Sequence, residues 1–328
     1  MTYEVRKTGG STVCGEQPSL SCHVTLQVAT TDQTFEFRAH NKAGWSDWSP
    51  VSNAIRAFKK PGTVSNLRLT PTGVSNQVRF DFGAAAGNGA LPSEITYYWS
   101  AGSSQGQVTP GQLVTSAAAF PNGTNQSVRV WARSNVKGEV VDGDAVTGTV
   151  NAFGPPTSNI SITTSSGYQS VGFTWNASGA ANGRPVSAVQ ISVNGGGWSS
   201  APISGSQTVS TGQGSTVTLA VRAMSSGTAW GTAKSASGTS WPPSDYQWRR
   251  GAAVACPGTI QGTCKYVQVK LTDYRPNSTV HCHMTGNGAA DYNADLGVDG
   301  GGNRDWTNTG KIQDGYVPPS EPITCTQN

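Results

Sequence analysis

The stretch VGFTWNASGAANGRPVSAVQISV, residues 171–193, joins two alternating apolar segments through a loop of small residues that contains Asn-Gly. The same plan occurs 93 residues earlier, in VRFDFGAAAGNGALPSEITYYW at residues 78–99. Apolar residues at every second position predict strands with one buried face, and Asn-Gly between apolar runs predicts a turn. The chain therefore repeats a β-module at intervals of about 90 residues.

A third copy of the module lies near the start of the chain. The segment FEFRAHNKAG from Phe35 matches SVRVWARSN from Ser127 and TLAVRAMSS from Thr218. Modules of this length, with about seven short strands and frequent turns, fit an immunoglobulin-like β-sandwich. We therefore predict a first module at residues 1–58, incomplete, followed by a second and a third module. These are residues 59–152 and 153–241, joined by proline-containing linkers.

The composition supports an all-β chain and argues against several functions. Of 328 residues 41 are glycine and only 12% are charged, and no window shows a sustained helical period. The net charge of +4 comes from scattered Lys and Arg, so we expect no nucleic-acid partner.

There is no run of 18 apolar residues and no signal peptide, yet TYEVRK at the start already alternates as a strand. We expect a fragment of a longer protein.

No catalytic motif stands out. The chain has no GxSxG motif, no plausible Ser-His-Asp set and no acidic pair that differs from solvated carboxylates. His23 and His40 lie on predicted strands, where surface or edge positions are more common than catalytic bases. We therefore predict that the protein is not an enzyme and needs no cofactor.

Two patterns could suggest a metal. In HCHM, His281 and His283 flank Cys282, but strand alternation sends the thiol to the opposite face and no CxxC pair is present. Asp291, Asn293 and Asp295 alternate as in calcium loops, but leucine follows where an EF-hand loop needs glycine. A polar turn is the favoured interpretation, and no metal is expected.

Six cysteines in small β-modules favour a disulfide framework and an oxidising compartment. The last 87 residues, 242–328, lie outside the repeat and hold four of the six. We predict a small disulfide-stapled β-domain there, with WPPSDYQWRRG at residues 241–251 as its linker. The predicted bridges are Cys14 to Cys22, Cys256 to Cys264 and Cys282 to Cys325.

Residues 1–241 resemble tandem fibronectin type III modules, and FRAHNKAGWS is the most specific match. In the alignment of the repeats Tyr3 corresponds to Ile95, which lies on the third strand of the second module. The first module therefore lacks its first two strands. The sheet face that those strands would cover must be open or must pack on a neighbour.

The pentapeptide Trp45-Ser46-Asp47-Trp48-Ser49 reads as WSxWS. It resembles the tryptophan-arginine ladder in the membrane-proximal fibronectin type III module of haematopoietic cytokine receptors. That resemblance implies an arginine between the two indoles. Arg38 is the first candidate, because alternation places it opposite the face of Phe35, Phe37 and Ala39, and Arg56 is the second. The motif either only braces the module or also forms a recognition surface.

The combination of WSxWS with glycine-rich, weakly charged modules resembles bifidobacterial, more broadly actinobacterial, surface proteins with fibronectin type III domains and a cytokine-receptor motif. The resemblance implies an extracellular, cell-surface protein, anchored in the membrane by a segment absent from this chain. It also implies binding to a host protein, with a cytokine such as tumour necrosis factor alpha as the partner. The alternative is a set of spacer or carbohydrate-binding modules of a secreted polysaccharide-degrading enzyme. In that case Trp198, Trp230 and Trp241 would supply a row of exposed aromatic rings.

Overall fold

The computed structural model describes residues 1–256, 262–284, 292–313 and 323–327. Its regular structure is antiparallel β-sheet with two short 3-10 helices, at Pro92–Glu94 and Ser178–Ala180, which confirms the all-β prediction. Among the described residues no helix has the length and apolar character needed to cross a bilayer.

The chain divides into two compact units. The first holds Met1–Pro156 with two loops of the third module, Ala181–Pro185 and Ser225–Trp230, and the second holds Thr157–Ala180, Val186–Met224 and Gly231–Asn328. The predicted ranges of the three modules and of the C-terminal domain stay predictions.

The first module forms a single antiparallel sheet in the order β2-β1-β3-β4. Its strands are β1 (Thr2–Lys7), β2 (Thr12–Gln17), β3 (Phe35–Asn41) and β4 (Gly44–Trp45). The segment 18–34, which the structure describes throughout, contains no strand and only one isolated bridge, between Gln33 and Ile55. No second sheet of this module covers the face of Phe37, whose exposed fraction is 54%. We predicted that the sheet face without its two covering strands is open or packs on a neighbour, and in the structure it is open.

The second module is a complete sandwich of two sheets. One sheet has the order β5-β6-β9, and the other β11-β10-β7-β8 with β12 also paired to β10. Phe80, Trp99 and Phe120 are buried between the sheets, with ring centroids 5.3–6.0 Å apart. The strands are β5 (Ser65–Pro71), β6 (Gln77–Gly83), β7 (Ile95–Ala101), β8 (Ser104–Gln107), β9 (Gln112–Thr115), β10 (Asn125–Val136), β11 (Glu139–Asp142) and β12 (Val146–Asn151).

The third module repeats this arrangement, with sheets β13-β14-β17 and β16-β15-β18-β19. Phe173, Trp175 and Leu219 are buried in its core, because alternate residues of β14 and β18 face inwards. The strands are β13 (Ser161–Gly167), β14 (Ser170–Asn176), β15 (Val186–Val193), β16 (Ser199–Ala201), β17 (Ser204–Ser210), β18 (Thr216–Ser225) and β19 (Lys234–Thr239).

Within the first unit, the repeated Asn-Gly loops hold the linkers that precede their own modules. The backbone carbonyl of Asn88 accepts a hydrogen bond from the amide of Lys59 at 2.9 Å. Nδ2 of Asn88 donates to the carbonyl of Lys60 at 2.8 Å. Asn182 makes the two equivalent hydrogen bonds, since its carbonyl accepts from the amide of Gly154 and its Nδ2 donates to the carbonyl of Pro155, each at 3.0 Å. The glycine after Asn88 is needed, since its φ is +99° and a Cβ there would lie 2.7 Å from the carbonyl oxygen of Ala57. The shared loop sequence is thus explained by a shared contact.

The C-terminal domain contains two three-stranded sheets, β20-β21-β24 and β23-β22-β25. Its strands are β20 (Asp245–Ala255), β21 (Thr263–Thr272), β22 (Thr279–Met284), β23 (Tyr292–Gly297), β24 (Arg304–Gln313) and β25 (Ile323–Gln327). The prediction that residues 241–251 are all linker is wrong, because β20 begins at Asp245 and pairs along β21. The alternation in DYQWRR indicates this strand, since Tyr246 and Trp248 both pack against the core.

Three disulfides join the three predicted cysteine pairs. Their Cα–Cα separations are 6.4 Å for Cys14–Cys22, 5.0 Å for Cys256–Cys264 and 4.0 Å for Cys282–Cys325. The last bridge joins residues directly opposite each other on β22 and β25 and lies in the core of the C-terminal domain.

Candidate binding site

A continuous stack of five side chains runs along the outer face of the first module. The guanidinium of Arg38 lies between the indoles of Trp45 and Trp48, with Cζ 4.2 Å and 4.6 Å from the ring centroids. Arg6 lies over the ring of Trp48 at 3.9 Å, and the imidazole of His40 stacks on Trp45 at 4.5 Å. We call this stack the ladder. It alternates cationic or imidazole groups with indole rings, an arrangement favoured by the negative faces of the rings.

The pairing register of β1 and β3 places a carboxylate beside each arginine of the ladder. Glu4 is opposite Arg38 and Glu36 is opposite Arg6. Nε of Arg38 donates to Glu4 at 2.7 Å, and Nε of Arg6 donates to Glu36 at 2.9 Å. These pairs fix the planes of the guanidinium groups against the rings and balance their charge.

Glu16 on β2 holds the far end of the ladder, because one of its oxygens lies 2.7 Å from Nδ1 of His40. Hydrogen bonds from Thr2 first, and then from His40, hold the pKa of Glu16 below its ordinary value. The pKa of Glu4 is lowered in the same way, mainly by the hydroxyl of Thr12 and next by Arg38. Both groups therefore stay ionised at neutral pH.

Three serines at intervals of three residues satisfy the free edge of β3. Each serine amide donates to a β3 carbonyl at 2.8 Å, and each serine hydroxyl accepts from the amide of the same β3 residue at 3.0 or 3.1 Å. The pairs are Ser46 with Ala39, Ser49 with Phe37, and Ser52 with Phe35. A step of three residues along the serine segment therefore corresponds to a step of two residues along β3. Each tryptophan immediately precedes one of the first two serines, so both indoles return to the ladder face.

Of the two arginines that the sequence offered, the structure places only Arg38 in the ladder. Arg56 instead donates to Asp32 at 2.8 Å and to Glu94 at 2.7 Å, and its side chain is only 7% exposed. Sequence reasoning missed Arg6, although it shares a face of β1 with Glu4 and so with Arg38. It also treated His40 only as a surface or edge residue.

The opposite face of the first module is apolar and open. Tyr3, Val5, Leu20, Phe35 and Phe37 are among the side chains that line a cavity of about 390 Å³. Among the described residues, twelve large apolar side chains are exposed, and seven of the twelve belong to residues 1–58. More than half of the large exposed apolar side chains in the described part of the chain therefore lie in the first module.

The metal-like patterns do not assemble a metal site in the described part of the chain, where no group of three His, Cys, Asp or Glu could hold an ion. Cys282 is bonded to Cys325, and His281 lies 2.7 Å from Asp295. Asp291 lies outside the described residues.

The three tryptophans considered for sugar binding differ in exposure. Trp198 is 37% exposed, but the guanidinium of Arg222 lies over its ring at 4.1 Å. Trp230 and Trp241 are half-buried, the former in the first unit and the latter in the second.

Comparisons with known proteins place the chain in no family. No protein-family profile matches it, and no curated protein matches it. Among solved structures it is similar to the crystal structure of the FN1-FN3 domains of chicken CNTN1, with 15% identity over 73% of this chain and 88% of that chain. The TM-score is 0.27, so this similarity adds nothing to what the strand pairing shows.

Proposed function

We propose that the protein is an extracellular binding protein built from fibronectin type III modules and that its first module recognises a protein partner. The observation that carries the proposal is the concentration of exposed apolar and aromatic side chains in residues 1–58. Exposed apolar patches of this kind mark interaction sites in proteins. Three disulfides support an oxidising, extracellular setting.

The chemistry of the first module supports a protein as the ligand. Trp45 is 39% exposed at the ladder edge, and Phe37 is 54% exposed on the opposite face. Aromatic residues and arginine dominate the energetic centres of protein interfaces, and Arg38 is already fixed between two rings, which lowers the entropy lost on binding. We further propose that the protein belongs to an actinobacterial cell surface and that the partner is a host cytokine such as tumour necrosis factor alpha. That identity rests on the resemblance of the WSxWS motif and its modules.

The proposal is tested by surface plasmon resonance of the chain against a small panel of cytokines that includes tumour necrosis factor alpha. We expect one member to bind, and Phe37→Ser to weaken that binding tenfold or more, because Phe37 is exposed and carries apolar surface. The matched control is Leu113→Ser, since Leu113 on β9 of the second module is 51% exposed. A chain lacking residues 1–58 should not bind.

Two results would contradict the proposal that the first module is the recognition surface. Equal loss of affinity in the Phe37 and Leu113 variants would mean that the first module is not the recognition surface. Full affinity in the chain that lacks residues 1–58 would mean the same.

A further inference from the structure

The second module has a notch in its five-stranded sheet. The long strand β10 changes partner, since residues 133–136 pair with β11 and residues 125–130 pair with β12. Residues 143–145 connect these two partners and leave a cavity of about 400 Å³ on the outer face. Gly143 allows this path, because a Cβ there would lie 2.8 Å from the carbonyl oxygen of Pro61. The size is in the range of small-molecule binding pockets.

The floor of the notch is a row of three polar residues on neighbouring strands. Ser100 on β7 is opposite Gln105 on β8 and opposite Arg129 on β10. All three line the cavity, and Arg129 and Gln105 are exposed. Within the described part of the chain, none of these three side chains makes a hydrogen bond or an ion pair. Their donors and acceptors are therefore free for a ligand.

An indole ring held in place forms the wall of the notch. Trp131 stacks on Tyr98 with an interplanar angle of 20°, and its Nε1 donates to Asp142 at 3.2 Å. Asp142 in turn accepts two hydrogen bonds from Arg133, at 2.6 Å and 2.8 Å. Hydrogen bonding to Arg133 is the main cause that lowers the pKa of Asp142. The ring of Trp131 is thus positioned before any ligand arrives, which reduces the entropy cost of binding.

Among the residues that the structure describes, one cation that lines the notch has no charged partner. Asp142 is neutralised by Arg133, and Asp144 on the rim lies 2.7 Å from Nζ of Lys60. Arg129 is the remaining charge. A guanidinium offers parallel N–H donors that match a carboxylate, so the notch favours an acidic ligand.

We propose that this notch binds an acidic saccharide, with a sugar ring against Trp131 and the sugar carboxylate on Arg129. The C–H groups on one face of a pyranose ring pack against an indole, and its hydroxyl groups are matched by the side chains of Ser100 and Gln105. The site lies in a different module from the proposed protein-binding surface and does not depend on it.

Isothermal titration calorimetry of the chain with trigalacturonate tests the inference, with neutral maltotriose as the comparison ligand. We expect trigalacturonate to bind in low salt, to bind more weakly as salt is added, and to bind at least ten times more tightly than maltotriose. Arg129→Ala should lower the affinity tenfold or more. Trp131→Ala should lower it by a similar factor, whereas Trp131→Phe should retain part of the affinity because it keeps a ring.

The matched control is Arg79→Ala, an exposed arginine of the same module outside the notch, which should leave the affinity unchanged. Thermal unfolding of each variant shows whether the module remains folded, and Trp131→Phe serves if Trp131→Ala does not. The inference is overturned if trigalacturonate does not bind, if Arg129→Ala binds as tightly as the original chain, or if maltotriose binds equally well.

Discussion

The guanidinium of Arg38 is fixed from the neighbouring strand by Glu4, whose Oε2 lies 2.7 Å from Nε and 2.6 Å from Nη2. The carboxylate side chain is only 13% exposed. Because the carboxylate holds the guanidinium in plane, the cation can lie between two indoles without losing further rotamer freedom on stacking. The ladder is therefore a cross-strand structure of β1 and β3 as much as a property of the WSxWS segment.

Replacing Arg38 with alanine should destabilise the first module. It removes the cation from between Trp45 and Trp48 and leaves Glu4 without its partner, so we expect a loss of about 0.5–2 kcal/mol. Hydrogen-exchange mass spectrometry of β3 measures this as faster exchange, by roughly two- to thirty-fold. Arg68→Ala, at an exposed arginine of β5, is the control and should leave β3 unchanged. Unchanged exchange in the Arg38 variant would show that the stack contributes no stability.

Ser49→Ala should expose the edge of β3. The hydroxyl of Ser49 accepts from the amide of Phe37 at 3.1 Å, and its loss should cost up to about 1 kcal/mol. Nuclear magnetic resonance can follow exchange of the Phe37 amide itself, which should speed up more than that of Val5. Ser19→Ala is the comparison, because within the described part of the chain the hydroxyl of Ser19 bonds to Ser21 and not to β3. If both variants behave alike, the serine spacing has no role in holding the edge.

Asp47→Arg separates recognition from bracing. Asp47 is exposed and its carboxylate makes no contact in the ladder, so stability should change by less than about 0.5 kcal/mol. If the ladder edge contacts the partner, affinity in surface plasmon resonance should fall tenfold or more, since charge reversal at an interface is costly. Glu139→Arg, the same charge change on β11, should leave affinity intact. Unchanged affinity with Asp47→Arg and with a chain lacking residues 1–58 would exclude the motif from binding.

Asn182→Ala should loosen the linker that it holds. The side chain donates to Ser75 and Pro155 and accepts from Asn122, and each such bond is worth about 0.5–1.5 kcal/mol. We expect faster proteolysis near Pro155, measured by limited digestion and mass spectrometry. Asn151→Ala, at an exposed asparagine of β12, provides the control. Equal cleavage of the two variants would show that Asn182 does not clamp the linker.

The first module should lose stability in acid. The folded pKa values of Glu4 and Glu16 lie below their ordinary value of 4.5, so their contribution is complete above pH 4.5. It is lost as the pH falls further, through the lowered pKa values. Calorimetry from pH 6 to pH 2, a range chosen to span these groups, should show the melting temperature of the first module falling below about pH 4.5. Glu4→Gln with Glu16→Gln should flatten this dependence, and Glu139→Gln should not; a dependence that persists in the double variant would assign it to other groups.

Local patterns were sufficient for much of the fold. Alternation in the two repeated segments predicted strands with one buried face, and Phe80 and Trp175 of those segments lie in the cores, because a strand has two faces and only one is buried. The three predicted cysteine pairs are the observed ones, and two of them, Cys14–Cys22 and Cys256–Cys264, lie only eight residues apart, where a short loop keeps two thiols near each other. Alternation also separated Arg38 from Phe37 across β3.

The linker prediction for residues 241–251 failed for a physical reason. Two prolines and several polar residues suggested a connection, yet alternate Tyr246 and Trp248 pack on the core of the C-terminal domain and make Asp245–Ala255 a strand. Packing over the whole strand outweighs the local turn signal of its first residues.

The sequence by itself determined the repeat of the β-module, the all-β class and the face of β3 on which Arg38 lies. Tertiary structure alone decided that Arg6 completes the ladder, that Arg56 pairs with Asp32 and Glu94, and that a notch opens where β10 changes partner. The ladder and the notch depend on which residues of distant strands lie opposite one another, whereas the contacts of Arg56 depend on how segments outside the strands pack. Strand register is set by long-range pairing, and a shift of one residue would turn every side chain to the other face.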